Sequence, residues 1–209
     1  MVIQATGDID ALDGTAANRV ASVTETTTCT AGVCSWTSTL NWEARLGLGE
    51  QVTGPLQLFN GKVYFATFSS QSDPTNACII GASRLWGVEY LKNTTVVGQT
   101  TPYPAGGFEI PAGSGTFVPR RPDISNAIIM GVGITQRPTC FSGVTETDAY
   151  SAGTRYRHVA VGGGDFELVA QVSAGGGAGA SLGTVTTITQ TLTPPASLTS
   201  IQSWTGSVD

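Results

Sequence analysis

An all-β fold with no helix of ordinary length is what this sequence predicts, and three observations carry the prediction. Thirty of the 209 residues are threonine, only Lys62 and Lys92 are lysines, and 12% of residues are charged. Side chains that favour strands are thus plentiful where strong helix formers are scarce. Twenty-seven glycines and ten prolines cut the chain into short runs bounded by turn residues. None of these runs keeps a 3.6-residue apolar period.

Taken in order, strands are expected over 19–23 and 36–46, with 14–35 read as loop. The clearest unit follows: Pro55-Leu-Gln-Leu-Phe59, then Asn60-Gly61, then Lys62-Val-Tyr-Phe-Ala-Thr-Phe68. An Asn-Gly pair tolerates positive φ at both central positions of a tight turn, so 55–68 is a β-hairpin. Further strands are expected over 79–91, 127–135, 155–161, 165–172, 184–192 and 201–208. Residues 69–77 form a polar insertion, 98–123 a Pro/Gly/Thr-dominated surface excursion, and 173–181 a glycine-rich tip or linker. One weak internal repeat relates Asp8-Ile-Asp-Ala-Leu-Asp13 to Arg84-Leu-Trp-Gly-Val-Glu89, both hexamers closing on an acidic residue.

The length suits a single domain over 1–209, with 40% apolar residues for its core. A net charge of −5 gives no basic footprint for a phosphate backbone, so nucleic acid is not an expected partner. No run reaches the ~18 to 20 apolar residues that would cross a bilayer. Met1 is not followed by a charged n-region and an apolar h-region, and Val2-Ile-Gln-Ala5 reads as mid-strand. The expectation is therefore a piece of a longer exported polypeptide. Four cysteines, Cys29, Cys34, Cys78 and Cys140, in so lysine-poor a chain point to disulfides and an oxidising compartment. Cys29 and Cys34 can close a tight loop, leaving Cys78 with Cys140, although four cysteines allow three connectivities. One histidine and no CxxC pair argue against zinc.

Residues 50–91, running from Glu50-Gln-Val-Thr-Gly54-Pro55 through Lys62-Val-Tyr-Phe65 to Arg84-Leu-Trp-Gly-Val-Glu-Tyr90, resemble a β-propeller blade of the PilC/PilY family, the type IV pilus biogenesis factors and tip-associated adhesins. The blade plan is also similar to the quinoprotein-type propeller repeat. Gly7-Asp-Ile-Asp-Ala-Leu-Asp13 would end the preceding blade, and Ile128 to Cys140 and Ser203-Trp204 fit later blades. The match is good over roughly forty residues and loose elsewhere. The resemblance implies a propeller-like domain of antiparallel blades with long loops, a C-terminal part of a surface protein. It implies a non-catalytic role in pilus assembly and adhesion, exposed outside the bacterial cell. The implied partners are pilin or minor pilins, host or surface ligands and the remainder of the parent chain. The chain holds fewer strands than a closed propeller needs, so a partial propeller is expected, and its open edges would be unpaired. The alternative is a structural or carbohydrate-binding propeller of an unrelated secreted surface or filament protein.

The resemblance also raises calcium at Asp8, Asp10 and Asp13, although the third aspartate falls one residue late and no bidentate glutamate follows at the expected distance. A strand end turning at Asp13-Gly14 is the stronger reading. No other cofactor is expected, since the chain has no vicinal Cys-Cys of the kind quinone dehydrogenases of this blade type carry. Gly179-Ala-Ser181-Leu-Gly183 matches a hydrolase elbow in letters only, because the one histidine, His158, precedes the serine and a strand pattern follows. Arg155 and Arg157 could meet an anion, though an exposed charged strand is the commoner case. Gly162-Gly-Gly-Asp165 reads as a turn. Trp36, Trp42, Tyr64, Phe65, Phe68 and Trp86 read mostly as core, which leaves the loop aromatics Tyr103, Phe108, Phe117 and Phe141 as the binding candidates.

Overall fold

The computed structural model describes residues 2–5, 17–70, 81–136, 166–174 and 185–192, all in strands, turns or irregular segments. Three antiparallel sheets carry the architecture. The first is a meander of β1 (Val2–Ala5), β2 (Ala17–Thr30) and β3 (Val33–Leu48). The second is built on β4 (Glu50–Val52), β5 (Gln57–Phe59), β6 (Lys62–Ser70), β7 (Gly81–Thr94) and β8 (Tyr103–Gly106). In it β4 and β5 both pair with β6, β6 pairs with β7, and β7 pairs with β8. A small hairpin of β9 (Phe108–Glu109) and β10 (Phe117–Val118) follows, and β11 (Ile124–Ser125) returns to the edge of β7. The third sheet is again a meander, β12 (Ala127–Gln136), β13 (Phe166–Ala174) and β14 (Val185–Leu192).

The hairpin expected at Asn60-Gly61 is present, with φ of 47° and 74° at the two turn residues and Phe59 paired to Lys62. Successive side chains on a strand point to opposite faces, and the middle sheet uses both. Val63, Phe65, Trp86 and Val88 pack against Val20, Trp42, Ala44 and Leu46 of the first sheet. On the opposite face Tyr64, Ala66 and Leu85 pack against Ile129, Val132, Leu168, Ala170 and Leu192 of the third. A sheet covered on both faces needs near-continuous apolar strands, and Val63-Tyr-Phe-Ala66 supplies one. The core prediction holds for Trp42, Tyr64, Phe65 and Trp86, all buried.

Two expectations about the elements are overturned. Much of the stretch read as loop over 14–35 is strand: β2 runs to Thr30 and β3 begins at Val33. A two-residue turn joins them at Ala31 and Gly32, with φ of 52° and 83°. Residues 25–40 are exposed on both faces, so no apolar alternation marks them, and the local signal for a strand is their run of β-branched threonines. For the same reason Trp36 is not core but exposed. The excursion over 98–123 carries β8, β9 and β10 and delivers the buried ring of Phe108 to the core of the middle and third sheets. Glycine makes this possible: a Cβ at Gly106 would stand 2.5 Å from the Val118 backbone, and one at Gly107 would stand 2.8 Å from the Gly87 backbone.

Candidate functional site

Two polar constellations are candidates, and the first is buried. Glu50, on β4, is 2% exposed. Its carboxylate accepts from the Gly47 amide at 2.7 Å and from the Thr67 hydroxyl, and it pairs with Arg84 Nη1 at 2.8 Å. Trp86 Nε1 donates to the Thr67 hydroxyl at 3.0 Å, and Asn18 Nδ2 donates to the Glu50 carbonyl at 2.9 Å. Arg84 also holds Asp123 with two parallel bonds of 3.0 and 2.9 Å. The Asp123 contact raises the Arg84 pKa above its ordinary value, burial opposes it, and Glu50 adds to the rise. The one guanidinium is shared by two carboxylates, so each charge in the set has an opposite neighbour. The network ties β2, β4, β6 and β7 to the segment before β11 and is a structural clamp.

The second constellation opens to solvent at the outer end of the middle sheet. Here β8 leaves the regular register of β7: Val88 pairs with Gly106, but the next pair is Asn93 with Pro104. The bulge and the β9–β10 hairpin frame an open cleft of about 660 Å³, whose walls include Lys62, Glu89, Lys92, Tyr103 and Phe117. Lys62 and Glu89 are directly opposed across β6 and β7. The Lys62 ammonium donates to the Gly107 carbonyl at 3.0 Å and stands 5.2 Å from the centre of the Phe117 ring, a cation–π distance. Lys92 extends from β7 with its Nζ 4.0 Å from Glu89. Burial raises the Tyr103 pKa, the Arg120 charge opposes the rise, and Glu50 adds to it. A phenol can both donate and accept.

The chain matches no family model, no curated protein and no solved structure. Of the four loop aromatics proposed for binding, Tyr103 and Phe117 line the cleft, while Phe108 is 1% exposed and packs 5.7 Å from Tyr64 inside the core. Phe108 turns inward because Gly87, Gly106 and Gly107 open a slot for it, which a Pro/Gly-rich composition does not reveal. Phe141 lies outside the described residues, as do Asp8, Asp10, Asp13, Arg155, Arg157, His158 and Ser181.

Cys29 and Cys34 are joined by a disulfide across the tip of the β2–β3 hairpin; Cys78 and Cys140 lie outside the described residues. No group of three metal-ligating side chains occurs among the described residues. Nor does any helix there have the length and apolar character to cross a membrane. Sequence reasoning missed Lys62, Glu89 and Lys92. The available signal was the rarity of lysine, because both lysines of the chain face the same cleft.

Proposed function

We propose that this chain is a propeller-like part of a non-catalytic bacterial surface protein that serves type IV pilus assembly and adhesion. One observation carries the reading. Residues 50–70 and 81–91, the described part of the segment that resembles a PilC/PilY blade, lie in one antiparallel sheet, and that sheet packs through both faces against a second and a third. Propellers are built of antiparallel sheets of this kind, repeated about a central channel. The Cys29–Cys34 disulfide accords with export to an oxidising compartment. In this reading the partners are pilins and surface ligands, and the remainder of the parent chain completes the propeller.

The reading is tested by deleting the parent gene in its native host. The expected outcome is loss of surface pili and of twitching motility; intact pili and motility would overturn it. A second reading, a carbohydrate-binding domain of an unrelated surface protein, is favoured by the two aromatic rings in the open cleft. Glycan binding by the purified chain together with unchanged piliation would select it.

A further inference from the structure

We infer that the cleft beside β8 is a binding site for a carboxylated sugar, a uronic acid unit of an acidic polysaccharide. The inference rests on the surface-binding role proposed above and names the ligand class of that site. Its first support is charge. The chain has a net charge of −5 and two lysines, yet both lysines line this cleft with Glu89 as their acidic neighbour. The cleft thus reverses the sign of the surrounding protein, which attracts an anion and disfavours a cation.

Geometry adds the second support. The Phe117 ring is 51% exposed, and its partner Lys62 is already oriented by the Gly107 carbonyl, which leaves further ammonium hydrogens available to an incoming carboxylate. Lys92 is 78% exposed and reaches the same space on a flexible stem. A pyranose can offer a flat C–H face to the exposed part of the Phe117 ring and its carboxylate to the Lys62 ammonium, which stands over that ring. Its hydroxyls find the Tyr103 phenol and the Glu89 carboxylate. An acidic peptide would satisfy the lysines but has no such face for Phe117, and the cleft volume of about 660 Å³ suits a short saccharide.

Calorimetric titration of the purified chain with a galacturonic acid trisaccharide, a neutral glucose trisaccharide and a tri-glutamate peptide tests this. The acidic sugar is expected to bind, to weaken as salt is added, and to lose about tenfold in affinity on Lys92→Ala and a similar factor on Phe117→Ala. Lys92 is exposed, so its variant keeps the fold; should Phe117→Ala melt early, Lys92→Ala alone decides. Equal binding of the neutral sugar or of the peptide, no binding of the acidic sugar, or an unchanged Lys92→Ala titration would overturn the inference. A negative titration combined with loss of pili on gene deletion removes the ligand and leaves the role. Binding with pili intact does the reverse.

Discussion

The β2–β3 hairpin is two structures on one pair of strands. Its inner half lies on the middle sheet: Trp42 is fully buried, its Nε1 donates to the Tyr90 carbonyl at 3.0 Å, and Ser22 Oγ donates to the same carbonyl at 2.8 Å. Its outer half, residues 25–40, is exposed throughout, and Trp36 there is 71% exposed. The same backbone ladder continues across both, from Ala17–Leu48 to Thr30–Val33. What differs is what supports it. The inner half is held by burial of apolar area, the outer half by local means: β-branched threonines, a tight Ala31-Gly32 turn and a disulfide between directly paired cysteines.

This contrast yields graded predictions. Trp42→Ala removes one of the two buried tryptophans from the interface of the first two sheets and should cost about 3–5 kcal/mol in chemical denaturation. Glu50→Ala leaves Arg84 to Asp123 alone and strips the Thr67 and Gly47 donors of their carboxylate, and should cost about 1–3 kcal/mol. Replacing both Cys29 and Cys34 by serine opens only a short loop in the exposed half, so global stability should fall by less than ~2 kcal/mol. Local proteolysis near residues 29–34 should meanwhile rise.

A pH series sharpens the inner half further. Glu43 is pulled below its ordinary value of 4.5 by hydrogen bonding to Arg45, burial opposes this, and the Arg19 contact adds to the lowering. Its ion pairs, 2.9 Å to Arg45 and 3.3 Å to Arg19, therefore contribute stability that is complete above that value and is lost as pH falls through the lowered one. Glu43→Gln should flatten the acid limb of the stability curve. The smallest effect belongs to Trp36→Ala, which should stay within about 0.5 kcal/mol of the parent despite deleting a tryptophan.

The same contrast explains what the sequence disclosed. Where a strand is buried, its side chains carry the signal, and Val63-Tyr-Phe-Ala66 and Leu85-Trp-Gly-Val88 are legible as strands and as core. The Asn60-Gly61 turn is legible because its conformation demands those residues. Where a strand is exposed on both faces, no alternation exists to read, and Thr24 to Cys34 passes for loop with a turn of its own. The cleft is hidden for a different reason. Lys62, Lys92, Tyr103 and Phe117 are scattered over 62–117, and they meet only because the β7–β8 bulge and the glycines at 106 and 107 fold the excursion back onto β7. Phe108 and Phe117 look alike in sequence, yet one fills the core and the other lines the cleft.

The central claim is that the middle sheet is covered on both faces while the hairpin arm is covered on neither. Amide hydrogen exchange of the intact chain, read by mass spectrometry of its peptides, tests it directly. Peptides spanning 62–68 and 84–89 are expected to exchange slowest, by orders of magnitude relative to those spanning 25–40. Exchange over 62–68 as fast as in the arm would contradict it.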